Sequence, residues 1–538
     1  MEIRTDTVDG HTIEWLKDEA SEPLFSKGAL RLLVELHLTL QSERDRLLEE
    51  RKKRQLQFDS GTLPSYLDQS SEKVTGSWKV APLPEDLLCR RVEITGPVNS
   101  AKMVINMLSR NSDGIRADCA MLDFEDSMKP SWRNVVDGVH NVIEAAKGEL
   151  FFVQPASDGK PEKKYALNPN DMPVVMVRCR GLHLEETNVK IDGTPISAGL
   201  LDLALCYLHS ADILLSRGKT PKYYVPKVEH FEEARWWNTL FCKLEDRLGH
   251  SRSTLRATFL IETLPAAFQL EEILYEIREH AAGLNVGRWD KIFSDIKVLR
   301  MHGDRISPDR SQIDMHCEWM RNYALRLIEV CHGRGAFAMG GMAAFTPGKD
   351  LETREQQLQK VIQDKRFESC LGHDGCWVSH PFFIGAALEQ FGQKNQLDIT
   401  GVLSNKCPEL LPQQIGTRTE QGIRKNVRVG IAYMQGWNHD LGCVAWDDLM
   451  EDLATLEISR VQIWQWLHHN ASLDDGRLIT RELVSTIFNE EFEKIRGELG
   501  SEVVKTGEWE KACSDAKELF LQEEFAEFLS TQSPRYQV

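Results

Sequence analysis

Residues 257–290 read ATFLIETLPAAFQLEEILYEIREHAAGLNVGRWD. The pattern of this segment is the basis for interpreting the fold of the rest of the chain. The segment opens with an apolar run typical of a β-strand, Ala257–Ile261, and closes with a second such run, Leu284–Trp289. Between the two runs, Leu264–Ala282 has the apolar spacing of one amphipathic helix. The segment therefore predicts a strand, a helix and a second strand that lies parallel to the first.

Each of the two predicted strands is followed by a carboxylate, Glu262 after the first and Asp290 after the second. Carboxylates at the carboxyl ends of adjacent parallel strands offer hard oxygen ligands to a divalent cation and leave positions open for water or substrate. This arrangement is typical of a magnesium site. Helix capping or plain surface charge is the alternative explanation for the pair.

Strand-like runs recur along the chain between stretches with helical spacing. They are Val92–Ile94, Ala120–Leu122, Val174–Val177, Tyr223–Val225, Ala257–Ile261, Leu284–Val286, Ala336–Met339 and Cys376–Val378. Strands that alternate with helices predict a parallel sheet, and eight of them predict the α/β fold known as the (β/α)₈ or TIM barrel. An open, doubly wound sheet is the alternative.

Helical segments flank the predicted barrel, which gives three domains: an N-terminal helical segment over residues 1–88, the barrel over 89–392 and a C-terminal helical domain over 393–538. In the first, Ser26 is the expected N-cap of a long helix. The C-terminal domain follows a polar connection and is expected to cover the barrel mouth. Its predicted helices are Glu420–Gln435, Asp447–His469, Thr480–Leu499 and Glu508–Leu529.

The composition of the 538 residues is that of a globular protein, with 41% hydrophobic and 27% charged residues. A formal net charge of −17 argues against a nucleic-acid partner but does not exclude an anionic substrate, because a local cation can outweigh the global field. Composition alone leaves the oligomeric state open between a monomer and a small homo-oligomer.

The twelve cysteines are scattered singly, which predicts neither a zinc site nor a disulfide framework and favours a reducing cytoplasm. We expect no membrane association, since the N-terminus has no apolar run and no segment is predicted to span a bilayer. The final residues, Arg535–Val538, do not match a peroxisomal Ser-Lys-Leu signal.

If the barrel is closed, the residues after each strand converge on one face, where acids and cations would meet. The candidates are Asp123, Glu125, Asp126, Arg178, Arg180, Lys227, Glu262, Asp290, Gly340, Gly341, His380 and Pro381. Acids for a metal and an arginine for an anion suit a small carboxylate substrate whose carbonyl the metal polarises. Some of these residues also have structural explanations: Arg180 or Lys227 could close an ion pair, and His380 could cap a loop.

Several of these segments closely resemble malate synthase of the A type. They are MLDFEDS at 121–127, VRCRGLH at 177–183, LIETLP at 260–265, GRWD at 287–290, AFAMGGMA at 336–343 and MED at 450–452. The resemblance extends over nearly the whole chain, including both helical flanks. It implies a Mg²⁺-dependent enzyme that joins acetyl-CoA to glyoxylate and hydrolyses the thioester, giving malate and CoA.

The resemblance also implies roles for individual residues. Glu262 and Asp290 would bind Mg²⁺, Arg178 would polarise substrate and enolate oxygens, and Asp452 would be the catalytic base. Asp123 and Glu125 match acids that lie behind these groups, and Cys443 matches a cysteine near the family's active site. From its position alone, Asp452 is a helix-start acid stabilised by the helix dipole. Residues that contact the CoA moiety are not identified.

Two other functions remain open at this point. A CoA-thioester lyase of the citrate and malyl-CoA lyase type shares the acid and arginine positions, but it resembles the C-terminal part of this chain less. A catalytically inactive metabolite-binding protein would need a lost site residue, and none is apparent. The domain that carries Asp452 distinguishes a CoA-thioester lyase from the malate synthase that the resemblance implies.

Overall fold

The computed structural model describes residues 2–156 and 161–531. The β-strands in this part of the chain are β1 (Glu2–Val8), β2 (His11–Lys17), β3 (Val92–Pro97), β4 (Cys119–Asp123), β5 (Phe151–Gln154), β6 (Lys163–Ala166), β7 (Val174–Arg178), β8 (Glu185–Ile191), β9 (Thr194–Ser197), β10 (Lys222–Val225), β11 (Arg256–Ile261), β12 (Ala281–Val286), β13 (Phe337–Ala343), β14 (Gly375–Val378), β15 (Val444–Trp446) and β16 (Leu449–Glu451). The α-helices are α1 (Lys27–Asp59), α2 (Glu72–Thr75), α3 (Ala101–Met107), α4 (Trp132–Lys147), α5 (Ala198–Ser216), α6 (Phe231–Leu248), α7 (Leu264–Ala267), α8 (Leu270–Glu276), α9 (Arg288–Val298), α10 (Glu318–Arg334), α11 (Leu351–Leu371), α12 (Ile384–Gln390), α13 (Glu420–Asn438), α14 (Leu453–His468), α15 (Arg481–Leu499), α16 (Ser501–Thr506) and α17 (Trp509–Phe520).

Eight parallel strands close into a barrel in the order β3, β4, β7, β10, β11, β12, β13 and β14, and β14 pairs back onto β3. Each of the eight predicted runs overlaps one of these strands, and the ends agree to within four residues. Closure brings Val378 beside Ile94 and excludes the open, doubly wound sheet. The (β/α)₈ prediction is therefore confirmed.

The barrel interior is filled by large side chains that form a core of their own, separate from the layer between strands and helices. This inner core includes Met121, Met176, Tyr224, Leu260, Phe337, Met339 and Trp377. Glu93 is buried among them and accepts hydrogen bonds from Arg90 Nε at 2.6 Å, Tyr224 Oη at 2.5 Å and Trp377 Nε1 at 2.8 Å. These hydrogen bonds satisfy both carboxylate oxygens of Glu93, and the large side chains around it make the barrel a packed core rather than a pore.

The segment after Glu262 is not the single helix that its periodicity predicts. It forms two short helices, α7 and α8, and the next strand begins at Ala281, inside the predicted helix. Pro265 lies at the start of α7, where it is tolerated, and Phe268 ends that helix. The apolar residues around Ala281 belong to a strand that is buried on both faces in the barrel wall. A strand buried on both faces has no alternation of apolar and polar residues, so its sequence pattern does not separate it from a helix.

The N-terminal part contains the expected helix, α1, whose N-cap Ser26 accepts a hydrogen bond from the Ala29 amide at 3.2 Å. A β-hairpin that the sequence analysis did not include precedes it. This hairpin, β1 and β2, joins β8 and β9 in a four-stranded antiparallel sheet beside the barrel. The domain boundaries at 88/89 and 392/393 remain predictions.

The C-terminal part is helical and has its own hydrophobic core, to which α13, α14, α15 and α17 contribute. The predicted helix from Asp447 begins only at Leu453, because residues 444–451 form the hairpin β15–β16, and the last predicted helix ends at Phe520 rather than Leu529. Helix α14 packs against α9, the helix that carries Asp290. The chain terminus from 532 onward, including Arg535–Val538, lies outside the described residues.

Among the described residues, α5 is the one helix long and apolar enough to cross a membrane, with a mean hydropathy of 1.5. The sequence had predicted no membrane-spanning segment. Of its apolar window, 67% is buried inside the fold, as is common for a helix in a protein core. Asp202 lies within this helix and is buried.

Candidate active site

A cavity of about 690 Å³, which includes space open to solvent, lies at the carboxyl ends of the barrel strands. Its polar wall contains Asp123, Asp126, Arg178, Glu262, Asp290 and Asp452. Its apolar wall contains Leu260, Val286, Met342, Trp377 and Met450. Side chains from the barrel and from the C-terminal domain thus share one cavity.

Arg178 and Asp123 form a bidentate pair because they are directly opposite each other in the register of β7 and β4. Arg178 Nε lies 2.6 Å from Asp123 Oδ1, and Nη2 lies 2.6 Å from Oδ2. The Asp123 carboxylate also accepts the backbone amides of Glu125 and Ser127, each at 2.9 Å. Although burial opposes the charge, Asp123 raises the pKa of the Arg178 guanidinium above its usual value. Asp123 therefore holds the Arg178 guanidinium in place and keeps it positively charged.

Lys227 lies at the centre of the acids that the sequence predicts at this face. Its Nζ is close to Asp126 Oδ2 (2.8 Å), Asp290 Oδ1 (2.9 Å), Glu125 Oε1 (3.0 Å) and Glu262 Oε1 (3.5 Å). The Lys227 backbone has a φ of 55°, in the left-handed region, and its amide donates to Glu262 Oε1 at 2.7 Å. The ion pairs of Lys227 and its amide hydrogen bond stabilise this strained backbone conformation. The conformation directs the Lys227 side chain toward the acids.

The cluster holds more acid than base, since five carboxyl groups share the charges of Arg178 and Lys227. Burial, followed by the charge of Asp126, raises the pKa of Glu125 well above its ordinary value, and the same two causes raise the pKa of Asp290. Such groups retain protons unless a further positive charge replaces them. An excess of buried carboxylate favours the binding of a further cation.

Glu262 and Asp290 are brought together, as predicted, although Asp290 does not end a strand. Strand β12 stops at Val286, and Asp290 is the third residue of α9, where an acid is stabilised by the helix N-terminus. Glu262 Oε2 is buried and accepts no hydrogen bond from the described residues. Gly287 makes room for Glu262, because a Cβ at this position would lie 2.4 Å from the Glu262 Cβ.

Asp452 reaches the cavity from the C-terminal domain. It is the N-cap of α14, and its Oδ1 accepts the Thr455 amide at 3.3 Å. Asp452 therefore does stabilise the start of a helix, which was the structural explanation for this acid. The same carboxyl group also lines the cavity. Burial, followed by the charge of Asp126, raises the pKa of Asp452 to about 7. A helix cap alone would not require such an environment.

Two other predicted positions have structural explanations. Arg180 is turned away from the acid cluster and forms a buried pair with Asp202 at 2.7 Å. His380 caps a short helical turn by accepting the Phe382 amide at 3.1 Å, immediately before Pro381. Neither Arg180 nor His380 lines the cavity that contains Asp452.

Cys443 does line the cavity, but burial raises the pKa of its thiol to about 12, so the group is neutral at physiological pH. Gly340 and Gly341 provide space for a buried carboxylate. A Cβ on Gly340 would lie 2.7 Å from the Glu368 side chain, whose Oε1 accepts the Gly341 amide at 2.9 Å. These glycines therefore support the strand end that closes the site.

The individual role of Asp126 and the apolar wall of the cavity were not predicted from the sequence. Asp126 directly follows Glu125 in the predicted strand-end acids, so its position was available, but the direction of its side chain was not. Met342 and Trp377 belong to largely apolar segments, in which periodicity cannot separate cavity wall from core, and Met450 lies among acids in a segment that shows no apolar periodicity.

Comparison with known proteins shows which family this chain resembles. Three family models match: the malate synthase N-terminal domain over residues 17–71, the malate synthase TIM barrel domain over 174–406 and the malate synthase C-terminal model over 417–536. The chain is 41% identical to malate synthase A of Escherichia coli (strain K12) over 521 residues, which cover 95% of each protein. It is 44% identical to malate synthase of Myxococcus xanthus (strain DK1622), over 96% of this chain and 94% of that one.

Among solved structures, the Haloferax volcanii malate synthase magnesium/glyoxylate complex is 14% identical and covers 78% of this chain, while the match spans 97% of that protein. Its TM-score of 0.42 is too low to add to the sequence relationship. The identities above extend through the barrel and through the C-terminal region that holds Asp452. This chain belongs to the malate synthase family.

Proposed function

We propose that this protein is a malate synthase: it condenses acetyl-CoA with glyoxylate and hydrolyses the resulting thioester, so that acetyl-CoA, glyoxylate and water give malate and CoA. The observation that supports this most strongly is the position of Asp452 in the same cavity as Arg178 and the paired acids Glu262 and Asp290. A Claisen condensation needs a base for the acetyl methyl group and positive charge for the developing oxyanions. The site contains both.

Glu262 and Asp290 are the residues that would hold Mg²⁺. The donor set fits, because the cluster has excess buried carboxylate and Glu262 Oε2 has no hydrogen-bond donor among the described residues. When bound, the ion would polarise the aldehyde carbonyl of glyoxylate and balance negative charge. Asp123 and Glu125 act behind this pair, since Asp123 orients Arg178 and Glu125 contacts Lys227.

Arg178 stabilises the oxygens on which charge develops. Its Nε and Nη2 are committed to Asp123, so Nη1 is the nitrogen that turns toward substrate. Nη1 lies 3.4 Å from Glu125 and 3.5 Å from Asp126, distances that allow it to change partners when an enolate or alkoxide oxygen arrives. A donor oriented before the reaction costs no reorganisation during it.

Asp452 removes a proton from the acetyl methyl group. A carboxylate whose pKa is raised to about 7 is a far stronger base than an ordinary aspartate and is still half ionised at neutral pH. Because Asp452 belongs to the covering domain, we expect it to approach the thioester from the side opposite Glu262 and Asp290, so that the new carbon–carbon bond forms between the base and the metal ligands.

We further propose that the enzyme acts on free metabolites in the reducing cytoplasm, as a monomer or small homo-oligomer that binds neither membrane nor nucleic acid. All twelve cysteines are free thiols, and seven of them are buried, as expected for a protein that does not depend on disulfides.

The test mixes purified protein with Mg²⁺, acetyl-CoA and glyoxylate and follows free thiol and malate. We expect equal amounts of both products, with none when glyoxylate is omitted or the metal is chelated. A lyase of the malyl-CoA type would instead accumulate malyl-CoA without thiol release, or cleave added malyl-CoA to acetyl-CoA and glyoxylate. Absence of malate and thiol under all conditions would reject the proposed activity.

A further inference from the structure

We propose that Asp126 is a positioning residue for Asp452: its backbone carbonyl anchors the first turn of α14 to the barrel, and its carboxylate keeps a fixed negative charge beside the base. This inference rests on the proposed function, in which Asp452 takes the methyl proton. It concerns how the barrel controls a base that belongs to another domain.

The anchor is a hydrogen bond between the two domains. Asp126 lies in the loop after β4, and its carbonyl oxygen accepts the amide of Leu453 at 3.2 Å. Leu453 is the first residue of α14 and directly follows Asp452. The first amides of a helix lack partners within the helix, so this bond satisfies one of them and fixes the height of Asp452 above the barrel.

The Asp126 side chain is 2% exposed. Its Oδ2 lies 2.8 Å from Lys227 Nζ and 3.5 Å from Arg178 Nη1, whereas its buried Oδ1 accepts no hydrogen bond from the described residues. Burial by itself would raise the pKa of this carboxyl, but Lys227 and Arg178 outweigh it and hold the pKa at about 2. The charge is therefore present throughout the pH range in which an enzyme operates.

The groups that act on Asp452 come from several elements. They are Asp126 after β4, Arg178 at the end of β7, Lys227 after β10, Tyr433 on α13, Cys443 before β15 and Thr455 on α14 itself. Burial raises the pKa of Tyr433 and of Cys443, so both are neutral. Asp123, Glu262 and Asp290 line the same cavity, but Asp126 is the charged group that acts most strongly on Asp452, and it opposes the two cations.

This opposition explains how Asp452 can be a strong base next to an arginine and a lysine. Alone, Arg178 and Lys227 would stabilise the ionised form of Asp452 and lower its pKa, which weakens a base. Asp126 counteracts them and, together with burial, raises the pKa of Asp452 to about 7. Cations needed for the oxyanions can thus coexist with a base of adequate strength.

Two substitutions separate charge from shape. Asp126→Asn keeps the backbone anchor and the size of the side chain but removes the charge, whereas Asp126→Glu keeps the charge and changes the size. We expect the acid limb of the kcat/KM–pH profile to move down by on the order of one pH unit in the Asn variant and to stay in place in the Glu variant. An unmoved limb in Asp126→Asn, or the same shift in both variants, would overturn the role of the charge.

A second measurement does not depend on turnover. An aspartate whose pKa is raised on folding loses stability as pH rises from its unfolded to its folded pKa, so Asp452→Asn should raise the unfolding temperature at pH 8 more than at pH 5. We expect this pH-dependent gain to shrink when Asp452→Asn is introduced into Asp126→Asn protein. An equal gain in both backgrounds would reject the inference. If this coupling is present but the wild type releases no thiol, the proposed function fails and the electrostatic link stands.

Discussion

Lys227 Nζ lies 2.9 Å from Asp290 Oδ1 and 3.5 Å from Glu262 Oε1, so one ammonium bridges the two carboxylates that we assign to the metal. The same ammonium also contacts Asp126 at 2.8 Å. A buried lysine in this position supplies part of the charge that the acids require, and the divalent cation that we propose would supply more. We therefore expect metal binding and the ion pairs of Lys227 to be coupled.

The first prediction concerns the metal ligands. Glu262→Gln and Asp290→Asn should each weaken Mg²⁺ binding at least tenfold, because an amide replaces an anionic oxygen ligand and the typical penalty for altering a metal site is of this order. Isothermal titration calorimetry with Mg²⁺ alone measures the affinity. Glu272→Gln is the matched control, since Glu272 is also a buried glutamate but does not line the cavity. Unchanged affinity in both site variants would remove this pair from the metal site.

The second prediction concerns Arg178. Arg178→Lys should fold but lose most activity, because a single ammonium cannot bind both oxygens of Asp123 and still present a donor to substrate. Steady-state turnover and the unfolding temperature are to be measured together. Turnover near that of the wild type would exclude Arg178 from the mechanism.

The third prediction concerns the base. Asp452→Asn keeps the size of the side chain and can still accept the Thr455 amide, so Mg²⁺ and glyoxylate binding should persist. Loss of the base should slow methyl proton abstraction by roughly 10² to 10⁴-fold. Calorimetry reports binding, and exchange of the acetyl methyl protons into deuterated water reports the chemical step. If exchange and turnover continue in the variant, another residue is the base.

The fourth prediction concerns stability and pH. Both carboxyl oxygens of Glu272 are buried without hydrogen bonds from the described residues, and burial raises the pKa of this group from 4.5 to about 7. Because the folded pKa is the higher one, stability falls as pH rises from about 4.5 to 7 and stays lower above it.

Glu272→Gln should remove this loss. We expect a stabilisation at pH 8 of up to about 3 kcal/mol relative to the difference seen at pH 4, measured by chemical denaturation. Malate formation should be unaffected, since Glu272 does not line the cavity. A variant that is equally stabilised or destabilised at both pH values would contradict the raised pKa.

The sequence by itself determined the barrel and the identity of its acids. Strand runs such as Tyr223–Val225 and Cys376–Val378 are local patterns, and the residue that follows a parallel strand must lie at one face of the sheet. Glu262, Arg178 and Asp123 could therefore be placed at a common site before any contact was known. Amphipathic periodicity was less informative where a segment is buried on all sides, and the predicted helix Leu264–Ala282 failed for this reason.

Only the tertiary structure decided which charged residues meet. Arg178 and Arg180 are two positions apart on the same segment, yet one faces the cavity and the other pairs with Asp202, a choice made by partners distant in the chain. Asp452 is over 300 residues from Asp126, as the numbering shows, and becomes part of the site because the C-terminal domain packs on the barrel, through contacts that include the Leu453 amide on Asp126 and helix α14 on α9. Such contacts depend on packing between elements and leave no local pattern, since hydrogen bonds and ion pairs across domains are set by the folded geometry.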